Sequence, residues 1–442
     1  MKKFGKKLTS SQIIILGFAA VILLGALLLM CPAATRHGVG ASFSDALFTA
    51  VSAVCVTGLI VQDTATYWSA FGQGVILTLI QIGGMGVVTV AAAVFLASGR
   101  KITLKQRSTM QDAISAPQVG GIVRLTGFAI KMTFLMEGLG ALVMAPVFCG
   151  EFGFGKGLWY ALFHSVSAFC NAGFDLMGVK SPYSSLTYFA FDPLINGTVM
   201  ALIVIGGVGF LTWEDIAANR LRFHRFRMQS KVILTATALL ILLPAVYFYF
   251  GEFRQGSTAE RLLASLFQSV TPRTAGFNTM DLTAMTESGI AVMIFLMLVG
   301  GSPGSTAGGM KTTTLAVLLS TAVSVFRRRE HTHFFGRRVD DATVRNAVTI
   351  AVMYMVLFLG GGLVISRVEG LPLLTCLFET SSAVATVGLT LGITPGLGAL
   401  SRGILMLLMY TGRVGGLTLI FAALTARQGN TARLPQDKLT VG

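Results

Sequence analysis

The sequence predicts an all-α polytopic membrane protein built from four pseudo-symmetric repeats, and two observations support this class. First, 53% of the residues are hydrophobic, only 12% are charged, and the mean hydropathy is +0.74. A soluble fold does not need so much apolar surface. Second, a short apolar segment ending on a glycine occurs four times, with the glycines at 58, 173, 276 and 388. Spacings of 115, 103 and 112 residues are too long for a solenoid and indicate fourfold internal duplication.

Eight apolar runs are long enough to cross a bilayer as helices, which takes about 20 residues. These spans lie at 11–31, 72–97, 122–149, 191–218, 228–251, 288–326 with an interruption, 344–367 and 400–426. Four shorter apolar segments predict re-entrant pore half-helices, at 43–55, 158–170, 260–271 and 373–384. Each repeat is therefore an outer helix, a half-helix, an extended turn and an inner helix. We place the repeats at 1–100, 101–225, 226–330 and 331–442, the last including the C-terminus.

The first apolar run follows four lysines, at positions 2, 3, 6 and 7, so a secretory signal or a lipidated Cys31 is an alternative interpretation. The run is long enough to span, and Met30 is not the small residue that cleavage before Cys31 favours. We therefore predict a transmembrane helix here.

Lysine and arginine are distributed asymmetrically between the two sides of the predicted spans. The segment before span one holds 4 of these residues. The segments after spans two, four, six and eight, counted with the span ends beside them, hold 6, 5, 6 and 3. All the half-helix sides together hold only 8. The positive-inside rule then places both termini in the cytoplasm and the half-helices on the outer side. A net charge of +15 would indicate nucleic acid in a soluble protein. Here the topology accounts for the charge, and we expect no nucleic-acid partner.

The four repeated turns have a composition suited to selecting a cation. Their sequences are Val56-Thr57-Gly58, Asn171-Ala172-Gly173, Thr274-Ala275-Gly276 and Thr386-Val387-Gly388. Rings of backbone carbonyls can replace the hydration shell of K⁺, and glycine permits the positive φ that directs successive carbonyls inward. The carbonyl ends of the half-helices add partial negative charge. We predict that these twelve residues form a K⁺ selectivity filter.

Span six is interrupted by six glycine and proline residues, namely Gly300, Gly301, Pro303, Gly304, Gly308 and Gly309. Ser302, Ser305 and Thr306 lie among them, so a straight helix is excluded. This span-six loop, residues 300–310, is either a gate below the filter or a packed kink. A nucleotide-binding loop is rejected, because Met310 separates Gly309 from Lys311 and no strand precedes it. We expect Lys311 to begin the cytoplasmic half of the span.

The segments Gln268 to Thr279 and Gly300 to Lys311 resemble the Trk/Ktr/HKT superfamily of cation transporters, and the short N-terminus is most similar to its Ktr branch. The resemblance implies a subunit that passes K⁺ into the cytoplasm through a pore that the span-six loop obstructs. It also implies that Na⁺ activates this subunit. It also implies a homodimer, a cytosolic nucleotide-binding ring of KtrA type and a bacterial plasma or inner membrane. Glycine rather than serine at Gly58 is the pattern that the superfamily associates with K⁺.

Two arginines in the apolar core of the sequence leave alternatives open. Arg413 either pairs with carbonyls, Glu214 or Asp215, or lies beside the pore and bonds the span-six loop, as the resemblance implies. Arg273 either anchors the third turn or faces outer solvent. The interval from the leading Phe267 to Gly276 is one residue shorter than in the other repeats, so we expect the third half-helix to end early.

Several other side chains have weaker signals. Asp63, Asp175 and Asp281 follow the first three turns and either concentrate cations or are ordinary loop acids. The carboxylates Glu137 and Glu379 are expected to be buried and partnered by backbone amides or arginine. His331 and His333 lack the further ligands that a metal needs. The arginines at 220–227 and 327–338 suit an acidic cytosolic partner or membrane lipid.

No enzyme is predicted, because neither HExxH nor a complete nucleotide-binding loop occurs. An intramembrane enzyme would need catalytic groups on facing helices. We expect no cofactor beyond the transported ion. The alternatives to a K⁺ transporter are a less selective Na⁺/K⁺ transporter of the same superfamily and a membrane scaffold that transports nothing.

Overall fold

The computed structural model describes residues 9–98, 102–114, 120–220, 222–415 and 418. The N-terminal lysines, the end of predicted span eight from 416 onward except Thr418, and the C-terminus that we predict to be cytoplasmic lie outside the described residues. The described chain is mostly helical. Its strand pair is β1, His333–Phe334, antiparallel to β2, Arg337–Arg338.

The first predicted repeat contains an outer helix, a half-helix and a bent inner helix. Its elements are α1 (Ser10–Leu29), α2 (Phe43–Val54), α3 (Ala70–Met85) and α4 (Val87–Ala97). Helix α1 begins at a capping box, in which the Thr9 side chain accepts from the Gln12 amide and the Gln12 side chain accepts from the Thr9 amide. Ser42 caps α2 by accepting a hydrogen bond from the Asp45 amide.

The second repeat follows the same order after an additional short helix. Its elements are α5 (Leu104–Ile114), α6 (Ile122–Phe152), α7 (Phe154–Phe169), α8 (Pro193–Val208) and α9 (Phe210–Asn219). Asp192 caps α8 by accepting from the amides of Leu194 and Ile195, and Pro193 occupies the first helical position, where no amide donor is needed.

The third and fourth repeats supply the remaining helices. These are α10 (Met228–Gly251), α11 (Thr258–Val270), α12 (Glu287–Leu298), α13 (Thr312–Phe326), α14 (Asp341–Glu369), α15 (Leu373–Val384) and α16 (Ala399–Val414). Short 3₁₀ turns lie at Pro32–Ala34, Met177–Val179, Ser185–Phe189, Phe223–Arg225, Leu282–Ala284 and Thr394–Gly396.

Two inner helices, each predicted as one span, are sharply bent. Spans 72–97 and 191–218 each consist of two helices, which meet at 94° in the first case and at 96° in the second. The break falls at Gly86, with φ 84°, and at Gly209, with φ 94°. Gly415, with φ 90°, ends α16 in the same way. Hydropathy cannot predict these bends, because they depend on backbone angles that glycine adopts without a steric penalty.

Helices α1, α6, α10 and α14 are each long and apolar enough to cross a membrane, and the two bent pairs bring the number to six within the described residues. Predicted span six consists of the shorter helices α12 and α13, and span eight is described only as far as Val414 and at Thr418. The chain is a multi-pass membrane protein. The number of eight spans and the repeat boundaries stay predictions.

The half-helices α2, α7, α11 and α15 occupy the centre of the molecule. The phenylalanine that leads each repeated segment is at most 1% exposed, at Phe48, Phe163, Phe267 and Phe378. The outer helices instead expose leucine and valine, including Leu24, Leu142, Leu243 and Val356. An apolar exterior around a partly polar centre is the arrangement that a protein in lipid requires.

Candidate functional site

The four repeated turns, hereafter the glycine turns, form a closed ring. A methyl group added to Gly58 would lie 2.5 Å from the carbonyl oxygen of Ala172, and one added to Gly173 would lie 2.7 Å from that of Ala275. A methyl group added to Gly276 would lie 2.2 Å from the carbonyl oxygen of Val387, and one added to Gly388 would lie 2.1 Å from that of Thr57, which closes the ring. Each glycine therefore packs against the carbonyl of the next turn, leaving no room for a side chain.

Backbone angles alternate in sign along each glycine turn. The glycines have φ values of 91°, 68°, 80° and 96°, and the residues two positions earlier, Val56, Asn171, Thr274 and Thr386, have φ values of 50°, 57°, 68° and 54°. Non-glycine residues adopt such angles at a cost of about 1–2 kcal/mol. The sequence predicted the glycines but not the four strained residues, since valine and threonine give no compositional signal of positive φ and asparagine, which tolerates it, occurs in one turn only.

The amides of the glycine turns are bonded back into the half-helices. The amide of Thr57 donates to the carbonyl of Ser52, and the amide of Val387 donates to the carbonyl of Ser382, each at 2.8 Å. The hydroxyls of the same two serines accept from the amides of Gly58 and Gly388 at 3.1 and 3.0 Å. Sequence reasoning missed these serines, although serine stands six residues before the glycine in three of the four repeats. The backbone carbonyls of the turns are thereby left free of the amides.

The third turn departs from the others. Helix α11 ends at Val270, six residues before Gly276, whereas the other half-helices end four residues before their glycine. The third half-helix thus ends early, as its shorter interval predicts. Arg273 is only 6% exposed, and its guanidinium lies 3.5 Å from the carbonyl oxygen and 3.4 Å from the hydroxyl of Thr237 in α10. The alternative that Arg273 faces solvent is wrong.

The span-six loop, residues 300–310, lies within the non-helical stretch between Leu298 and Thr312. Its base is closed by hydrogen bonds from the Gly300 amide to the Met310 carbonyl at 2.8 Å and from the Thr312 amide to the Gly301 carbonyl at 3.0 Å. A methyl group on Gly308 would lie 2.0 Å from Thr386 Oγ1. The loop therefore lies directly against the fourth glycine turn.

The loop is also attached to the second repeat, at the end of α8 and α7. The Ser302 amide donates to the Gly207 carbonyl at 2.9 Å, and Thr306 Oγ1 donates to the carbonyl of Phe169, the last residue of α7, at 2.9 Å. Ser305 Oγ donates to the Ser302 carbonyl at 2.6 Å, and Gly304 accepts from the Phe210 amide at 2.8 Å. Backbone and hydroxyl contacts, rather than apolar packing alone, hold this segment.

Arg413 donates to the carbonyl of Thr306 in the loop and to the carbonyls of Gly83 and Gly84 at 2.5 and 3.0 Å. Pairing of Arg413 with Glu214 or Asp215 is wrong, because these acids hydrogen bond with Arg227, at its side chain and its amide respectively.

Lys311 immediately precedes α13. Its Nζ donates to the carbonyls of Ala307 and Gly308 at 2.7 and 3.3 Å. Both cationic side chains thus bond the span-six loop.

One cavity lies beside the glycine turns and another lies beside the span-six loop, and the two share no lining residue. One, of about 480 Å³, is lined by the four glycines of the turns and by residues that follow them, including Asp175 and Asp281. The other, of about 260 Å³, has a lining that includes Asp112, Lys311, Arg413 and five loop residues, namely Gly304, Ser305, Ala307, Gly309 and Met310.

Comparison with known proteins identifies the family of this chain. Residues 6–434 match the TrkH family, which is described as "Cation transport protein". The chain belongs to the TrkH family. It is 38% identical to the potassium/sodium uptake protein NtpJ of Enterococcus hirae, over all of this chain and 99% of that protein. It is 37% identical to the Ktr system potassium uptake protein B of Bacillus subtilis, over 99% of this chain and 97% of that protein.

A solved structure has the same fold as this TrkH-family chain. The crystal structure of the potassium transporter TrkH from Vibrio parahaemolyticus superposes with a TM-score of 0.75 at 19% identity, and the match covers 96% of this chain and 87% of that one. The helical membrane fold predicted from the sequence is confirmed, and so is the resemblance to the superfamily and its Ktr branch.

The acids singled out in this TrkH-family chain have different environments. Asp63 is 6% exposed and accepts from the amides of Ala65, Thr66 and Tyr183, so it is not a solvated loop acid. Glu137 contacts the thiol of Cys170 at 3.7 Å. Glu379 accepts from two threonine hydroxyls. The expectation that amides or arginine partner these two glutamates is wrong.

His333 is the first residue of β1, and His331 precedes it by two positions. His333 Nε2 lies 2.9 Å from the Arg329 guanidinium. No cluster of three or more histidine, cysteine, aspartate or glutamate residues that could hold a metal occurs in the described part of the chain.

Proposed function

We propose that this chain is the ion-conducting membrane subunit of a bacterial K⁺ uptake system. The observation that carries the proposal is the closed ring of four glycine turns, in which each glycine lies against a carbonyl of its neighbour. In this proposal K⁺ sheds water at the ring, because the carbonyls left free of the amides replace its hydration shell. The half-helices end toward the ring and favour a cation there.

The span-six loop is the proposed gate. It lies against Thr386 of the fourth turn and is held by Arg413, whose positive charge opposes a cation on the same path. The gating residues are then Gly300, Gly301, Ser302, Gly304, Ser305, Thr306, Gly308, Gly309, Lys311 and Arg413. The packed-kink alternative would leave flux unchanged when the loop contacts are removed.

The remaining parts of the proposal come from the Ktr resemblance and the charge distribution. The chain works as a homodimer with a cytosolic nucleotide-binding ring of KtrA type, in the plasma or inner membrane with both termini in the cytoplasm. Na⁺ activates it. Uptake is driven by the membrane potential, which supplies about 2.3 kcal/mol per charge for each 100 mV.

A less selective Na⁺/K⁺ transporter is the second candidate, and the name of the Enterococcus hirae relative, a potassium/sodium uptake protein, favours it. Both candidates are tested by titrating the purified protein with K⁺ and Na⁺ calorimetrically and by following Rb⁺ flux into proteoliposomes. The first candidate requires K⁺ to bind at least tenfold more tightly than Na⁺, whereas similar affinities support the second. A protein that neither binds these ions nor conducts them with its partner present is a scaffold. Anomalous density for Rb⁺ within the ring would locate the site.

A further inference from the structure

Each half-helix contains one polar residue directly after its buried phenylalanine. These residues are Thr49, His164, Gln268 and Glu379, and each is at most 1% exposed. A buried polar group is costly unless it is hydrogen-bonded, and within a membrane protein such groups are usually functional. The four equivalent positions carry four different side chains, so the repeats are chemically distinct immediately behind the glycine turns.

Glu379 connects its half-helix to the chain that leaves the fourth glycine turn. Its carboxylate accepts from Thr390 Oγ1 at 2.9 Å and from the hydroxyl of Thr394. Thr390 lies two residues after Gly388 and lines the cavity of about 480 Å³. Thr390 Oγ1 also accepts from the Gly392 amide at 3.0 Å, so one hydroxyl joins the carboxylate to the backbone beyond the turn.

His164 makes the corresponding connection in the second repeat. Its Nδ1 lies 2.7 Å from the Tyr160 carbonyl, and its Nε2 accepts from the Leu176 amide at 3.3 Å. Because a carbonyl only accepts and an amide only donates, this geometry fits the neutral imidazole with its proton on Nδ1. Leu176 lies three residues after Gly173, so the histidine also holds the segment that leaves its turn.

The first and third repeats lack this connection in the described residues. Thr49 Oγ1 and both amide atoms of Gln268 have no hydrogen-bond partner within the described part of the chain. The half-helix side chain directly after the buried phenylalanine therefore holds the segment that leaves the glycine turn only in the second and fourth repeats, within the described residues.

We propose that Glu379 is a positioning residue for ion selection, which fixes the segment beyond the fourth glycine turn through the hydroxyls of Thr390 and Thr394. His164 has the same role for the second turn. This inference rests on the proposed K⁺-selective function. A ring whose carbonyls are held apart disfavours the smaller Na⁺, whereas a ring released on one side can contract around it.

The test compares Glu379→Gln with Glu379→Leu in the full-length purified protein. Glutamine keeps the shape, with one oxygen to accept from a hydroxyl and an amide to donate to the other, whereas leucine removes both bonds. We expect the ratio of Na⁺ to K⁺ dissociation constants to fall at least tenfold in Glu379→Leu and less than threefold in Glu379→Gln. Calorimetric titration with each ion gives both constants, and Rb⁺ flux under Na⁺ competition gives an independent ratio.

A matched control is Glu369→Leu. Glu369 Oε1 accepts from the Gly398 amide at 3.0 Å and from Ser401 Oγ at 2.5 Å, so it caps α16 by the same chemistry away from the turns. We expect this variant to leave the ion ratio unchanged. If Glu379→Leu does not fold, Thr394→Val removes one partner hydroxyl without altering the half-helix, and we expect a threefold or larger loss of the ratio.

Two outcomes would overturn the inference. An unchanged ratio in folded Glu379→Leu or Thr394→Val would mean that these bonds do not position the turn. Equal losses in Glu379→Gln and Glu379→Leu would assign the effect to negative charge. Wild-type protein measured beside them separates this failure from that of the proposed function. Without a K⁺ preference in the wild type both fail, whereas a K⁺-selective wild type with an unchanged ratio in the variants contradicts this inference alone.

Discussion

The guanidinium of Arg413, near the end of α16, donates a hydrogen bond to the backbone carbonyl of Thr306 in the span-six loop. The same guanidinium bonds Gly83 and Gly84 at the end of α3, while the Thr306 hydroxyl bonds Phe169 at the end of α7. Segments of all four repeats thus converge on two adjacent side chains. Because these contacts join the loop to the first, second and fourth repeats, we expect it to move when they are removed.

Replacing Arg413 by glutamine should raise ion flux without abolishing ion binding. Glutamine retains one donor group but neither the charge nor the three-carbonyl contact. We expect Rb⁺ flux into proteoliposomes to increase about threefold to tenfold, which corresponds to ~0.7–1.4 kcal/mol of barrier. The K⁺ dissociation constant should change less than twofold, because the glycine turns are not contacted by this side chain.

The control for this substitution is Arg367→Gln, which removes a charge from an exposed position of α14. Its flux should equal that of the wild type. Wild-type flux and regulation in a folded Arg413→Gln protein would instead support the packed-kink interpretation of the loop.

Substitution of the turn glycines should impair K⁺ selection in an order set by the space available. The added methyl group meets a carbonyl oxygen at 2.1 Å at Gly388, 2.5 Å at Gly58 and 2.7 Å at Gly173, so alanine should be worst at Gly388. Gly388→Ser and Gly58→Ser should lower the K⁺/Na⁺ preference at least tenfold, which calorimetric titration with both ions measures.

Gly396→Ala is the matched control for the turn glycines, because a methyl group there meets nothing within 4 Å. It should bind K⁺ and Na⁺ as the wild type does. An unchanged K⁺/Na⁺ ratio in Gly388→Ser would contradict the assignment of the ring as a filter.

Much of the fold could be predicted because length and hydropathy determine it. The fourth half-helix, predicted at 373–384, is Leu373–Val384, and the first, predicted at 43–55, is Phe43–Val54. The bends at Gly86 and Gly209 could not be predicted, because a glycine in an apolar run serves equally for close packing or for a break. Only the backbone angles distinguish the two.

The candidate site was predictable where it depends on repetition and not where it depends on contacts. Four turn glycines at related spacings indicate a ring. The partners of Arg413 are backbone carbonyls, which every residue possesses, so no sequence pattern specifies them. Likewise the hydroxyls that bond Glu379 lie 11 and 15 residues further along the chain, beyond any helical periodicity.

Asp175 should make ion uptake dependent on outer pH. It lies in the segment between α7 and α8 and lines the cavity beside the glycine turns. Burial raises the pKa of its carboxyl to about 7, and the nearby charge of Asp63 acts in the same direction. The carboxylate is therefore neutralised as the pH falls through 7, and we expect K⁺ uptake to decrease from pH 8 to pH 6. The Asp175→Asn variant should show K⁺ uptake that does not change with pH and stays at the level that the wild type has at pH 6.

The raised pKa of Asp175 also makes the stability of the folded protein decrease as the pH rises. A carboxyl with a raised pKa in the folded state binds its proton more tightly there than in the unfolded chain. Its contribution to stability is thus present at low pH and lost as the pH rises toward 7. Thermal unfolding from pH 5 to pH 8 should show a decline that Asp175→Asn reduces. Identical pH profiles of flux and stability in the two proteins would contradict this assignment.

The ion pair between Asp45 and Arg402 should stabilise the junction of the first and fourth repeats. Arg402 Nη1 donates to Asp45 Oδ1 at 3.1 Å, joining the first turn of α16 to the first turn of α2, and the side chains are only 20% and 16% exposed. Arg402 Nη2 donates to the Pro395 carbonyl at 2.8 Å, and Gln62 donates to Asp45 at 3.2 Å, so the pair is fixed on both sides. Removing one partner leaves the other charge half-buried, and we expect Arg402→Leu to cost about 1–3 kcal/mol.

A double-mutant cycle of Asp45→Asn and Arg402→Leu, followed by thermal unfolding in detergent, isolates the interaction from other losses. We expect a coupling of about 1 kcal/mol or more, because partly buried, hydrogen-bonded charges are screened less than exposed ones. The comparison pair is Arg338 with Asp341, whose side chains are 52% and 65% exposed at an N–O distance of 3.0 Å. Its coupling should fall between about 0 and 1 kcal/mol. Additive effects at Asp45 and Arg402 would mean that contacts other than this ion pair hold the first and fourth repeats together.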